Sequence, residues 1–143
     1  MIRVVGAVLL YQDHVILARR ASSLKSLPGL FEFPGGKIEA NESSEQALAR
    51  ELFEELQIKV ELGAIEGFEG NIHQSTIENS SKVIHLTLFT VRAWEGTLTI
   101  DPKVHSELSY VPIKDLDSFL DLIPGDAAFV PIIQGLFNMP IAD

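Results

Sequence analysis

The segment from residue 44 to residue 56, SEQALARELFEEL, constrains the fold more than any other part of this chain. It contains no glycine or proline, and it follows Ser43, which stands three residues before Gln46. This spacing is the capping-box pattern that opens many helices. An apolar stripe follows at about 100° per residue: Leu48, Ala49, Leu52 and Leu56. The pattern predicts a helix that ends near residue 56 and packs one side against a core.

A second face of this helix is acidic. Glu51, Glu54 and Glu55 fall together on it, and no lysine stands between Lys37 and Lys59. Carboxylates three or four positions apart repel each other by a few tenths of a kcal/mol per pair. A solvated helix face would interleave lysines, so we expect the missing counter-charge to be a hard cation, Mg²⁺ or Mn²⁺.

Composition bounds the class of protein. The 143 residues predict a single domain, 1–143, and the absence of cysteine excludes a disulfide framework and thiolate zinc sites. The formal net charge of -9 argues against binding to nucleic acid polymers. No span approaches the roughly 20 apolar residues of a membrane helix. We therefore expect a cytoplasmic protein with no membrane partner.

The remaining pattern predicts an α+β fold, an α/β/α sandwich with a mixed β-sheet flanked by helices. An ordered loop rich in proline and glycine is expected over residues 21–42. Asp126 is expected to be the N-cap of the last helix. The strands are predicted at 2–10, 14–20, 58–68 and 82–94, with a weaker pair at 97–100 and 109–111, and the later helices at 113–120 and 127–138.

Residues 36–58 carry a more specific pattern. Gly36 is followed after five residues by Glu42, and after seven more by the run 50–58, RELFEELQI. This spacing resembles the Nudix box and departs from it at Gln57, where that family has glycine. The stretch EFPGGKIE and the adjacent Arg19 and Arg20 resemble its MutT-like branch.

The resemblance implies roles for the acids. It makes Glu51, Glu54 and Glu55 ligands of a divalent metal, with a backbone carbonyl of the glycine pair, that of Gly35, completing the site. It places Arg50 in the catalytic group as a residue that organises charge. The general base is either Glu51 or Glu107. Glu107 is expected in a loop, and its alternative role is that of another metal ligand.

Four further residues are candidates for binding substrate. Arg20 and Lys37 suit phosphate oxygens. Phe33 either stacks near a base or fills the core, and the resemblance suggests that Asp126 reads a base edge as well as capping its helix. His73, His85 and His105 lack the spacing of metal ligands and are expected to be structural or solvent-facing.

Together these residues and the MutT-like resemblance predict Mg²⁺-dependent hydrolysis of a nucleoside triphosphate to nucleoside monophosphate and pyrophosphate, with Mn²⁺ able to substitute. The resemblance implies an oxidised purine or a pyrimidine as the base, and we expect a monomer or homodimer. Two alternatives stay open. One is hydrolysis of another nucleoside diphosphate linked to a further group, and the other is a nucleotide-sensing module without turnover.

Overall fold

The computed structural model describes residues 2–75 and 81–137, with the side chains of 71–75, 81 and 82 left out. No helix in these two ranges is long and apolar enough to cross a membrane. The strands are β1 Ile2–Tyr11, β2 His14–Arg20, β3 Phe31–Glu32, β4 Gly35–Lys37, β5 Ile65–Ser75, β6 Ser81–Val91 and β7 His105–Pro112. The α-helices are α1 Ser44–Leu56, α2 Pro124–Ala127 and α3 Val130–Phe137, and 3-10 helices span Leu62–Ala64 and Ile113–Ser118.

The sheet opens into a wedge between its first two strands. β1 and β2 form an antiparallel hairpin only where residues 9–11 face 14–16. Beyond that point β1 pairs with β4, while β2 pairs with β3. The short strands β3 and β4 thus fill the gap between the splayed strands and carry the glycine-rich segment to the middle of the sheet.

The other edges of the splayed strands are also paired. β6 runs parallel to β1 and antiparallel to β5, and β7 runs antiparallel to β2. A register shift in the β2–β7 pairing falls between Arg19 and Arg20. The sheet is therefore mixed, as predicted.

Both faces of the sheet are covered. Alternate residues of β1 point to opposite faces, so Ala7 and Leu9 join α1 in one buried cluster, while Val8 and Leu10 join α3 and the second 3-10 helix in the other. The predicted fold class, a mixed sheet flanked by helices, is confirmed.

α1 forms as its local sequence predicts. The capping box is complete. The backbone N–H of Gln46 donates to Ser43 Oγ, and the backbone N–H of Ser43 donates to Gln46 Oε1. Gln57 ends the helix in the left-handed conformation with φ 58°. Its buried stripe contains Ala47 where we expected Ala49.

Other expected boundaries were wrong. The loop 21–42 contains β3 and β4, which are too short to give a local strand signal. The strand expected at 58–68 begins only at Ile65, and no strand forms at 97–100. The last helix is split into α2 and α3, and the expected end at Asn138 lies outside the described residues.

Candidate active site

Arg50 lies at the centre of the acidic face of α1. Its Nε and Nη2 donate to the two oxygens of Glu42, at 2.9 and 2.8 Å. Its Nη1 donates to Glu51 at 2.9 Å and to Glu54 at 3.3 Å, and lies 3.7 Å from Glu39. The expectation of no protein counter-charge was therefore wrong for Glu51 and Glu54, two of the three acids that it concerned. We call Arg50, Glu39, Glu42, Glu51 and Glu54 the Arg50 cluster.

The Arg50 cluster fixes the helix to the glycine-rich strand. Hydrogen bonds from Arg50, with one from the Glu39 amide, lower the pKa of Glu42 to about 2. The same hydrogen bond to Glu42 is the main cause that raises the pKa of Arg50. Arg50 Nη2 also donates to the backbone carbonyl of Lys37 in β4, at 3.2 Å. The cluster thus sets the distance between α1 and β4.

Glu55 is not part of the Arg50 cluster, although it lies close to Glu51 and to the backbone of Gly35. Its Oε2 is buried and has no hydrogen-bond partner among the described residues. Burial, then the charges of Glu51 and Glu32, raise the pKa of Glu55 well above its ordinary value, while the nearby Gly35 backbone acts in the opposite direction. A buried carboxylate oxygen without a partner costs free energy unless a ligand meets it.

The two glycines of β4 allow the acids to approach the strand. A Cβ on Gly36 would lie 2.5–2.7 Å from the three carboxyl atoms of Glu51. A Cβ on Gly35 would lie 1.9 Å from the backbone oxygen of Val5. A side chain on Gly35 would clash with the backbone of β1, and one on Gly36 would push aside the Glu51 carboxylate, which lies directly against bare backbone.

The arrangement fits a hard divalent cation. Glu51 and Glu55 offer carboxylate oxygens beside the backbone of β4, and such oxygens, with retained waters, are what Mg²⁺ takes in proteins. Within residues 2–75 and 81–137, no three acidic or histidine side chains are already arranged as metal ligands. Glu54 is turned toward Arg50 and is 57% exposed. The metal-binding roles of Gly35, Glu51, Glu54 and Glu55 stay predictions.

A cavity of about 420 Å³ opens beside β4. All four residues predicted to bind substrate line it: Arg20, Phe33, Lys37 and Asp126. Gly35, Gly36 and Glu55 line it as well. Its other wall comes from the segment after β2, including Leu24, Ser26 and Leu27. The structure therefore brings the predicted phosphate and base residues to one concave surface, together with two of the four predicted metal ligands, although their roles stay predictions.

Asp126 is not the N-cap that we expected. α2 begins at Pro124, and the residue before it, Ile123, makes no side-chain cap. Asp126 Oδ2 instead accepts the backbone N–H of Phe33 at 2.9 Å. Burial is the main cause that raises the pKa of Asp126 to about 7. This carboxyl group holds Phe33 at the cavity wall.

Glu107 lies apart from the cavity. It belongs to strand β7, so the expectation of a loop was wrong. Its carboxylate accepts from Arg19 Nη1 at 3.2 Å, and both side chains are about half exposed. Among the described residues, the cavity lining does not include Arg50, Glu51, Glu54 or Glu107. Of these four, Glu51 is the residue whose carboxylate lies against β4.

Two residues at this site carried no assigned role in the sequence. Glu32 lines the cavity and pairs with Arg20 at 2.9 Å and with His105 at 2.8 Å. Its position between Phe31 and Phe33 was the only local signal, an acid alternating with buried aromatics. His105, expected to be structural or solvent-facing, is fully buried.

The chain is similar in sequence to known proteins. Residues 1–132 match the NUDIX domain family. The chain is 40% identical over 98 residues to a CTP pyrophosphohydrolase of Escherichia coli K12, which is 68% of this chain and 67% of that protein. It is 40% identical over 90 residues to an 8-oxo-dGTP diphosphatase of Proteus vulgaris, covering 61% of this chain and 71% of that protein.

Solved structures share the fold. The solution structure of the Escherichia coli ORF135 protein superposes with a TM-score of 0.80 at 31% identity, over 100% of this chain and 95% of that one. A MutT NUDIX hydrolase from Burkholderia pseudomallei gives a TM-score of 0.73 at 21% identity, over 90% and 95% of the two chains. The box residues, the fold that positions them and these matches lead to one assignment: the chain belongs to the Nudix family of hydrolases.

Proposed function

We propose that this Nudix hydrolase cleaves a nucleoside triphosphate to a nucleoside monophosphate and pyrophosphate, with Mg²⁺ or Mn²⁺ as cofactor. The observation that carries the proposal is one cavity lined by Arg20, Lys37, Phe33, the buried Asp126 and Glu55, whose Oε2 has no hydrogen-bond partner among the described residues. The names of the two relatives, a CTP pyrophosphohydrolase and an 8-oxo-dGTP diphosphatase, support a nucleotide substrate with a pyrimidine or an oxidised purine base.

The phosphate end of the substrate is assigned to the glycine-rich strand. Lys37 is exposed at the cavity rim, while its backbone is held by Arg50. Arg20 supplies a second positive charge.

Proton transfer is assigned to Glu51. Its carboxylate lies against Gly36 and is held by Arg50 Nη1 at 2.9 Å, which fixes its direction. Glu107 is a poorer candidate, because its carboxylate pairs with Arg19 and is 52% exposed. Mg²⁺ would supply charge neutralisation at the phosphates and activation of water, and Glu51, Glu54, Glu55 and the Gly35 carbonyl would hold it.

The base end is assigned to Phe33 and Asp126. Asp126 Oδ2 is used by the Phe33 amide, which leaves Oδ1 for a ligand. With its pKa raised to about 7, Asp126 can accept a hydrogen bond from an exocyclic amino group and, when protonated, donate to a neighbouring ring nitrogen. Cytosine and guanine carry such amino groups, whereas uracil and thymine do not.

A substrate screen tests the proposal. CTP, 8-oxo-dGTP, UTP and ADP-ribose are each incubated with Mg²⁺ and with EDTA, and pyrophosphate and single phosphate are measured separately. We expect CTP or 8-oxo-dGTP to release pyrophosphate only with the metal, and UTP to react at least about tenfold more slowly. ADP-ribose as the best substrate would instead indicate a nucleoside diphosphate linked to another group. Binding of nucleotide without any product would indicate a sensing module.

The Glu54→Gln variant tests the metal assignment. We expect it to lose most turnover while its melting temperature changes little, because the ion pair to Arg50 that it loses is largely exposed. Wild-type rates in this variant would rule out Glu54 as a metal ligand.

The net charge of -9 supports free nucleotides over nucleic acid polymers as substrates. We place the activity in the cytoplasm, in a single-domain monomer or homodimer with no membrane partner.

A further inference from the structure

His105 lies behind the wall of the cavity. It is fully buried, and its Nε2 lies 2.8 Å from Glu32 Oε2. Its neighbour Val104 lines the cavity, whereas His105 is outside the set of described residues that do. His105 Nδ1 is buried and has no hydrogen-bond partner among the described residues. Among the described residues, the polar contact of the imidazole ring is therefore with Glu32.

Glu32 is held from two sides. An ionised carboxylate only accepts hydrogen bonds. In this pair His105 Nε2–H is therefore the donor and Glu32 Oε2 the acceptor. The other oxygen, Oε1, accepts from Arg20 Nη1 at 2.9 Å. Since both oxygens are engaged and the side chain is only 14% exposed, Glu32 has one fixed orientation.

Arg20 is held in turn. Its Nη1 donates to Glu32, and its Nε donates to the backbone carbonyl of Ser26 at 3.0 Å, in the segment that walls the cavity. Its Nη2 makes no hydrogen bond to any residue that the structure describes. The donor left for a ligand thus belongs to a guanidinium whose other two nitrogens are fixed.

The sheet is built to bring these side chains together. Ala18 of β2 faces Glu32 of β3, and Arg20 faces His105 of β7. Because residues two apart share a face of a sheet, the three side chains lie on one face. The register shift between Arg19 and Arg20 sets His105 opposite Arg20, and such irregularities re-aim side chains.

We propose that His105 is a positioning residue that acts through Glu32 to hold Arg20 for binding the nucleotide. The inference rests on the proposed function, because it takes Arg20 as a nucleotide contact. The competing explanation is that the His105–Glu32 pair only fastens β7 to β3. That explanation predicts a loss of stability in a His105 variant, with no dependence on Arg20.

Four proteins separate the two explanations: wild type, His105→Phe, Arg20→Ala and the double variant. Phenylalanine keeps the ring and removes both nitrogens. We expect His105→Phe to raise KM for CTP about tenfold, with kcat within about threefold of wild type, since a misplaced guanidinium weakens binding. In the Arg20→Ala background the same substitution should raise KM by less than about twofold. An equal rise in both backgrounds would overturn the inference.

A second pair of variants keeps the test decisive if His105→Phe does not fold. In His105→Gln the amide nitrogen reaches about as far as Nε2 and can donate to Glu32, whereas the shorter side chain of His105→Asn cannot. We expect Gln to restore KM to within about threefold of wild type, and Asn to resemble Phe. A folded Gln variant with the KM of the Asn variant would contradict the proposal.

Failure of the proposed function has a different signature. If Arg20→Ala leaves KM unchanged, Arg20 is not a substrate contact, and both proposals about it fall. If no nucleotide is turned over, the dissociation constants of CMP and 8-oxo-dGMP, measured by calorimetry without metal in the same variants, replace KM. A wild-type protein that binds neither nucleotide would overturn the inference together with the proposed function.

Discussion

Two groups of acidic side chains in this protein are neutralised in different ways. In the Arg50 cluster, Glu42, Glu51 and Glu54 all accept hydrogen bonds from one guanidinium. At the cavity, Asp126 is buried and Glu55 is partly buried, and burial raises the pKa of each, which favours the uncharged carboxyl group. The first group holds α1 against β4, and the second offers oxygen atoms that the protein leaves for a ligand.

The comparison separates organisation from binding within one short segment. Glu54 and Glu55 are adjacent in sequence, yet the first is 57% exposed and held by Arg50, while Oε2 of the second is buried with no hydrogen-bond partner among the described residues. Charge that is already paired stabilises a geometry. Charge that is unpaired and buried is costly, and it persists in a native protein where function needs it.

The largest effect should come from Glu55→Gln. Loss of this carboxylate is expected to lower kcat about 100-fold or more, because the site loses an oxygen ligand. The melting temperature should change little, since glutamine is close in shape to the carboxyl group, which the raised pKa keeps uncharged in the metal-free protein. The matched control is Glu45→Gln, which changes an exposed acid in the first turn of the same helix and should leave both quantities unchanged. Wild-type kcat in Glu55→Gln would show that the unpartnered oxygen has no catalytic use.

Arg50→Ala should damage the Arg50 cluster without removing any acid. Three carboxylates lose their hydrogen bonds, so we expect the melting temperature to fall by roughly 5 °C and kcat/KM by about tenfold or more. Arg50→Lys keeps the charge but not the paired hydrogen bonds to Glu42, and should lie between Ala and wild type. A melting temperature in Arg50→Ala equal to that of wild type would contradict the organising role.

The Arg50 cluster also predicts the behaviour of the protein in acid. The pKa of Glu42 is lowered from 4.5 to about 2, so its contribution to stability is fully present above about 4.5 and is lost as the pH falls toward about 2. Thermal melts of wild type and Glu42→Gln should differ most above pH 5 and converge near pH 2. A difference that is constant over this range would rule out the ion pair as its cause.

Sequence patterns predicted the parts of this protein that depend on local interactions. The capping box and the apolar stripe of α1 are set by residues three and four apart. The cavity is set by longer contacts. Asp126 was predicted to be a helix cap, but it accepts a hydrogen bond from Phe33, 93 residues away, and His105 meets Glu32 across 73 residues. Strands of two or three residues, such as β3 and β4, form only because β1 and β2 diverge.

The charges near α1 show the same limit. A count of acids and bases in sequence suggested that protein cations could not answer the glutamates. The planar guanidinium of Arg50 carries five donors, and the fold brings Glu39 and Glu42 back over the helix to reach it. Composition did not predict that Arg50 would contact four carboxylates once the loop before α1 folds back over the helix.

Asp126 gives the matching pH test for the cavity. Its pKa is raised from 3.8 to about 7, so the folded protein holds a proton that the unfolded chain releases, and stability should fall as the pH rises between these values. Asn keeps an oxygen for the Phe33 amide and never ionises. The melting temperature of Asp126→Asn relative to wild type should therefore be higher at pH 8 than at pH 5, by roughly 5 °C. A pH-independent difference would show that this carboxyl group is not titrating there.

Gln57→Gly should have the smallest effect and should leave both groups of acids intact. Gln57 ends α1 with φ 58°, a conformation that costs an L-residue about 1 kcal/mol relative to glycine. Glycine also loses more chain entropy on folding, so we expect a gain of about 0.5 kcal/mol in the free energy of unfolding. The Gln57→Ala control keeps a Cβ in the strained conformation and should gain nothing. The substitution lies past the last acid of the helix, so kcat and KM should not change; a change in either would mean that the end of α1 helps to orient Glu54 or Glu55.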